Sequence, residues 1–123
     1  MQMNVIALDD EKDVKVLYEY FFSSEVESGK IKLEFFHSPI QLLEEVQASK
    51  AETLLLTDMK MPSLSGIDVV DRLLLKLPNL RVFVISALEL KLPQSEMSRL
   101  KIERVYSKPL NFQKLKEDVL AIL

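Results

Sequence analysis

The sequence predicts an α/β domain: a three-layer, doubly wound parallel sheet of five strands in the order 2-1-3-4-5, built as (βα)5. Three observations predict it. Apolar runs of strand length alternate five times with stretches whose apolar residues recur every three or four positions. That alternation is the mark of a parallel sheet wrapped by helices on both faces, for which 2-1-3-4-5 is a common spatial order. Runs such as Leu54-Leu55-Leu56 and Val82-Phe83-Val84-Ile85 are apolar at consecutive positions, as strands covered on both faces are. The chain has 123 residues, 48% of them hydrophobic, with only two glycines and no internal repeat. It therefore has the length and apolar content of one independent core, and the composition of neither a disordered segment nor a solenoid.

Taken in order, Met3-Asn4-Val5-Ile6-Ala7-Leu8 is the first strand and stops at Asp9-Asp10-Glu11. A helical stretch follows, with Val14, Leu17, Tyr18 and Phe21 on its expected buried face and Gly29 closing it. Ile31, Leu33 and Phe35 alternate with Lys32 and Glu34, a half-exposed second strand. Ser38 caps the next helix, Pro39 takes its first position, and Ile40, Leu43 and Val46 are the expected inward face. The third strand runs into Thr57-Asp58 and breaks at a loop marked by Pro62, Ser63, Ser65 and Gly66. The helix beyond carries Ile67, Val70, Leu74 and Leu77 at helical spacing and ends at Pro78-Asn79. Its Leu73-Leu74-Leu75 run exceeds one stripe and predicts a deeply buried helix. Arg81 to Ser86 is the fourth strand and Glu103 to Ser107 a shorter fifth. Between them, residues 87–100 are irregular. Leu88, Leu90 and Leu92 have a strand-like period, and a short or displaced helix is expected to begin near Pro93. Asn111 caps a last helix with Phe112, Leu115, Val119 and Ile122 on one side and Lys114, Lys116, Glu117 and Asp118 on the polar side.

Sixteen basic against nineteen acidic residues give a net charge of −3. No basic field invites nucleic acid or an anionic membrane surface. There is no cysteine, hence no disulfide framework, which fits a cytoplasmic protein. Met3 to Leu8 is short, lacks a basic lead and ends in acids, unlike a signal peptide. No apolar run approaches the roughly 20 residues that span a bilayer. A single domain over residues 1–123, with no output domain in this chain, is the expectation.

The topology makes a chemical prediction. In this strand order the crevice opens between the first and third strands. The first ends in Asp9-Asp10 and the third in Asp58, so three carboxylates meet there. Like charges so placed raise one another's pKa, and a hard divalent cation such as Mg²⁺ relieves the repulsion while keeping waters for further ligands. Ser86 ends the fourth strand and Lys108-Pro109 follows the fifth. A hydroxyl and an ammonium thus reach the same edge, both natural partners of a phosphoryl oxygen. A carboxylate nucleophile, a metal site, a cation and a hydroxyl suit phosphoryl transfer to Asp58.

These residues carry a specific resemblance. Asp9-Asp10, Asp58 with Met61-Pro62 and Gly66, Ser86-Ala87 and Lys108-Pro109 together resemble the response-regulator receiver domains of two-component signalling, over essentially the whole chain. The resemblance implies a flavodoxin-like fold and Mg²⁺ dependence. It implies Asp58 as phosphoacceptor, Asp9 and Asp10 with Asp58 and the Lys60 backbone carbonyl as metal ligands, Lys108 as phosphate contact and Ser86 as switch hydroxyl. The implied partners are a histidine kinase or a histidine phosphotransfer protein, and downstream a protein target or output domain. A phosphorylation-dependent homodimer is compatible with it, and a cis peptide before Pro109 is usual. Such a domain is a signalling switch that catalyses only its own phosphoryl transfer and dephosphorylation.

Two positions depart from the pattern. The family often has an aromatic residue three positions before the lysine. Here Val105 stands there and Tyr106 follows, expected on the other face of the strand. Lys60 and Leu88 occupy positions resembling those that tune phosphoryl lifetime. His37 reads as a loop histidine with no phosphotransfer role. Rival readings are a phosphate-independent interaction module of the same fold, a Mg²⁺-dependent phosphohydrolase with an aspartate nucleophile, and a flavin binder. The last is disfavoured because Asp9-Asp10-Glu11 would repel a phosphate.

Overall fold

The computed structural model describes residues 2–61, 64–87 and 90–123. Its elements are β1 (Met3–Leu8), α1 (Val14–Phe21), α2 (Ser23–Glu27), β2 (Ile31–Phe36), α3 (Pro39–Glu45), β3 (Thr53–Asp58), α4 (Gly66–Lys76), β4 (Leu80–Ser86), α5 (Gln94–Arg99), β5 (Ile102–Ser107) and α6 (Phe112–Leu120). The five strands pair in parallel in the order β2-β1-β3-β4-β5. The predicted architecture is the observed one. Pro62, Ser63 and Leu88, on which three sequence readings fell, lie outside the described residues.

Side chains alternate across the strands, so the sheet separates two layers. On one side Ile6, Leu8, Leu55, Met59, Val82 and Val84 pack with α3, α4 and α5 through Leu42, Val69, Val70, Leu73 and Leu100. On the other, Val5, Ala7, Leu54, Leu56, Phe83 and Ile85 pack with α1, α2 and α6 through Tyr18, Phe22, Leu115 and Val119. β3 is central and buried at all six positions, which is why its run is continuously apolar up to Thr57.

Helix ends follow local chemistry. The Ser38 hydroxyl accepts from Gln41 N–H at 3.2 Å with Pro39 at the first helical position, and Asn111 Oδ1 accepts from Lys114 N–H at 3.1 Å. Ser65, read from sequence only as a loop residue, caps α4 by accepting from Asp68 N–H at 3.2 Å. Gly29 closes α2 at φ 77°. Gly29 N–H donates to Val26 O and Lys30 N–H to Glu25 O, the paired bonds of a Schellman close that need a left-handed residue between them. The Lys76 ammonium donates to Leu43 O and Val46 O, at 3.0 and 3.2 Å. It thereby satisfies carbonyls at the open end of the short α3.

Several expected faces are rotated. The stretch after β1 forms two helices, α1 and α2, that meet at Phe22. Tyr18 and Phe22 are its fully buried pair, and Leu17 is 43% exposed. In α3, Leu42 is buried and Ile40 faces out. In α4, Leu73 is buried, Leu74 partly so, and Leu75 is 87% exposed. The leucine run is one amphipathic helix and not a deeply buried one. In each case a neighbouring apolar residue offered a second stripe, and packing against the sheet chose between them. Asp118 is the clearest correction. It was expected on the polar side of α6, yet it is buried, because its carboxylate is held from three sides. The irregular stretch resolves into α5, starting at Gln94 after Pro93, as expected. Leu90 and Leu92 pack against the α4 layer with no strand among the described residues there.

Candidate functional site

Asp9 follows the last residue of β1, and its N–H donates to Phe36 O at 3.1 Å. That bond extends the β1–β2 ladder by one step and fixes where the carboxylate emerges. Asp9 Oδ1 then accepts from Glu11 N–H at 2.9 Å. Asp58 ends β3, next to β1 in the sheet. It is buried, and its Oδ1 accepts from Lys60 N–H at 3.0 Å. Asp10, one residue past Asp9, is exposed. One carboxylate oxygen from each of Asp9, Asp10 and Asp58 lies within 4.8 Å of the others. The crevice predicted from strand order brings the three acids together.

Lys108 enters from the fifth strand. Its ammonium donates to Asp58 Oδ2 at 2.5 Å. Its backbone N–H donates to Ser86 O at 3.0 Å, and the Lys108–Pro109 peptide is cis. The register that pairs Asp58 with Ile85 and Ser86 with Ser107 places Ser86 one step beyond Asp58 at the same sheet edge. Ser86 is buried there. All five predicted site residues thus occupy one end of the sheet. The depression lined by Asp10, Met59, Lys60, Met61 and Ser65, about 440 Å³, opens beside them. A larger cavity of about 1030 Å³ lies at the opposite end of the strands, around Arg81 and Lys101, away from this chemistry.

The electrostatics follow from crowding. Burial, countered in part by the Glu11 amide and by Lys108, raises the Asp9 carboxyl above its ordinary value. Burial pulls the Lys108 ammonium down. The Asp58 hydrogen bond and the charges of Asp9 and Asp58 outweigh it, and the net shift is upward. Lys108 is therefore a cation throughout the neutral range. Tyr18, beneath the site, is raised by burial and then by the Asp9 and Asp58 charges. The carboxylate charges of the site contribute to all three shifts, behind burial for Asp9 and Tyr18. The donor set is three carboxylates, hard oxygen ligands that fit a divalent cation of the Mg²⁺ kind.

At the position of the departure, Val105 is 45% exposed. Tyr106 turns to the other face, as expected, with its ring 6.0 Å from Phe83. Its hydroxyl donates to Asp118 Oδ2 at 2.6 Å. Lys114 and Arg104 stand 3.3 and 3.8 Å from Asp118 Oδ1. Sequence reading missed this pairing. The Lys114–Asp118 spacing of four was its one available trace.

Residues 5–120 match the family model of the response regulator receiver domain. The chain belongs to this family. As a receiver domain of a two-component response regulator, it holds an acidic pocket of Asp9, Asp10 and Asp58 that is consistent with phosphoryl acceptance. Solved receiver structures share its fold. The receiver domain of a putative LuxO repressor protein from Vibrio parahaemolyticus is 21% identical, with a TM-score of 0.79 over 98% of this chain and 89% of that one. The chemotaxis protein CheY4 of Vibrio cholerae is 15% identical, with a TM-score of 0.76 over the whole of both chains. The response regulator TrrA of Thermotoga maritima, solved in complex with Mg²⁺-BeF, is 21% identical, with a TM-score of 0.70 over 98% of this chain and 99% of that one. No curated protein sequence matches this receiver domain. Among its described residues no helix is long and apolar enough to cross a membrane.

Proposed function

We propose that residues 1–123 fold as a single receiver domain that works in the cytoplasm and accepts a phosphoryl group on Asp58 from a histidine kinase or a histidine phosphotransfer protein. The modification switches a protein-docking surface. The observation that carries the reading is the meeting of the Asp9, Asp10 and Asp58 carboxylates with the Lys108 ammonium on Asp58 Oδ2.

In the proposed reaction an Asp58 oxygen attacks phosphorus. The phosphorus–nitrogen bond of a phosphohistidine, or the phosphorus–oxygen bond of a small donor, breaks and its electron pair leaves with the donor. An acyl phosphate on Asp58 is the product. The Lys60 N–H holds Oδ1 and orients the carboxylate. Asp9, Asp10 and Asp58, with the Lys60 carbonyl, would hold Mg²⁺. When bound, the ion sets positive charge against the phosphoryl oxygens. Lys108 passes from the carboxylate to a phosphoryl oxygen as charge moves outward, and the Ser86 hydroxyl serves a second oxygen. Near-complete switching needs roughly 5.5 kcal/mol of differential stabilisation. The Ser86 contact is one new charge-assisted hydrogen bond of about 1.5–3 kcal/mol and supplies part of that scale, while Lys108 exchanges one anionic partner for another.

The test is intact mass after incubation with acetyl phosphate and Mg²⁺, beside Asp58→Asn and a chelated control. A gain of one phosphoryl group that both controls abolish is expected. No gain in a folded protein that also fails to bind Mg²⁺ would leave the phosphate-independent docking module as the better reading.

A further inference from the structure

We infer that the buried Thr57 hydroxyl, acting with the missing side chain of Gly66, positions the peptide that presents Asp58; the inference rests on Asp58 being the phosphoacceptor. Thr57 is 0% exposed. Leu55 on β3 and Met59 just past its end, two residues to either side of Thr57, point into the α3–α5 layer, so Thr57 points there too. That layer is aliphatic. In register, Thr57 sits between Leu8 and Val84, which belong to it together with Val69, Val70 and Leu73. A valine would fill the same shape without bringing a hydroxyl that must find a partner. The partner is the carbonyl of Asp58, which accepts from Thr57 Oγ1 at 2.9 Å.

The same carbonyl is walled by α4. A Cβ on Gly66 would stand 2.8 Å from Asp58 O, 2.8 Å from Met59 Sδ and 3.1 Å from Met59 Cα. The first turn of α4 is packed directly on this peptide, and Gly66 N–H donates to Met59 O at 3.1 Å. With Lys60 N–H on Oδ1, the Asp58 unit is held at its carbonyl, at the next peptide and at its carboxylate. Thr57 touches no reacting atom. It is a positioning residue, acting through the Asp58 main chain on the direction from which the carboxylate meets phosphorus. In-line transfer is sensitive to that direction, since displacements near 1 Å cost on the order of a hundredfold in rate.

The Thr57→Ser and Thr57→Ala pair isolates the hydroxyl, because both lose the same methyl and only one keeps the donor. Phosphorylation would be followed by intact mass at fixed acetyl phosphate and saturating Mg²⁺, at a temperature where both variants are folded. Mg²⁺ affinity would be measured by calorimetry. Thr57→Ser is expected to react near the wild-type rate and Thr57→Ala on the order of tenfold more slowly at saturating Mg²⁺, with the calorimetric affinity establishing that saturation in each variant. A merely structural hydroxyl would lower the melting temperature and leave the rate alone. If Thr57→Ala does not fold, Thr57→Val takes its place, with the same slow rate expected at undiminished stability. Equal rates with and without the hydroxyl, in a protein whose wild type is labelled on Asp58, would overturn this inference alone. No labelling of the wild type would instead fail the phosphoacceptor reading beneath it.

Discussion

The hydroxyl of Tyr106 donates to Asp118 Oδ2 across 2.6 Å and ties β5 to α6. The bond holds the Asp118 carboxyl below its ordinary value, with Lys114 and Arg104 adding to the effect. Tyr106→Phe keeps the ring against Phe83 and removes only the donor. Hydrogen bonds to charged groups contribute about 1.5–3 kcal/mol, so a loss of that order is expected in urea unfolding at pH 7. The sign with pH follows from the depressed folded pKa. The contribution is present above the ordinary value of 3.8 and is lost as pH falls through the folded value. The difference between wild type and Tyr106→Phe should therefore shrink on acidification. A difference that stays constant down to pH 2 would show that the bond does not depend on the carboxylate.

Asp9 shifts the other way, and its prediction is opposite in sign. Burial raises its folded pKa above 3.8. Stability therefore falls as pH rises from the ordinary value through the folded one, and the cost is complete above that. Asp9→Asn removes the buried charge and can keep the acceptor for Glu11 N–H. In chelator at pH 7 the variant should melt above the wild type, and the gap should close in acid. Addition of Mg²⁺ should reverse the order, because bound cation stabilises only the intact carboxylate set. Thermal melts with and without Mg²⁺ at two pH values decide it. A variant that melts below the wild type in chelator would mean that Asp9 is already neutralised by Lys108.

What could be read in advance differs by the range of the interaction. Ser38 and Asn111 were legible as caps because a cap is made within three residues. Asp9, Asp58 and Lys108 were legible because each stands at or one residue past the carboxyl end of a strand, and the strand order carries all three to one edge. The rotation of a helix is not local. Leu17 against Phe22, and Ile40 against Leu42, are adjacent stripes of nearly equal apolarity, and the sheet beneath chooses between them. Asp118 was assigned to solvent for the same reason, since its partner Tyr106 lies on another element. Thr57 was invisible as a functional candidate. A threonine in an apolar strand is ordinary, and only its bond to the Asp58 carbonyl sets it apart.

Lys101 offers a stability test away from the site. It follows α5 at φ 59°, the one non-glycine residue with positive φ among the described residues. Its N–H donates to Ser98 O, and its carbonyl accepts from Val82 N–H, so the turn feeding β5 needs that conformation. The left-handed region costs a side-chain-bearing residue on the order of 1 kcal/mol. Lys101→Gly removes that cost but adds freedom to the unfolded chain. A net gain of about 0.5 kcal/mol is expected, read as a rise of a few degrees in the melting temperature. Lys101→Ala should give no such gain, since alanine keeps the Cβ that conflicts with the turn. Equal melts for the glycine and alanine variants would indicate that the turn carries no such strain.

Gly66 joins stability to chemistry. A Cβ there meets Asp58 O and Met59 Sδ at 2.8 Å each. The Met59 side chain can move aside, but the Asp58 carbonyl belongs to a fully buried strand end and can yield only with its own peptide. Gly66→Ala is therefore expected to cost about 1–3 kcal/mol, the range for overpacking a dense interior. It should also displace the Asp58 carboxylate relative to Lys108 and the two acids that follow β1. Urea unfolding measures the first effect and the rate of phosphoryl gain from acetyl phosphate the second. The two effects separate at low temperature, where the variant remains folded. Slow labelling that persists under those conditions points to displacement of Asp58. A wild-type rate in a merely less stable protein would mean that the methionine alone absorbs the added methyl.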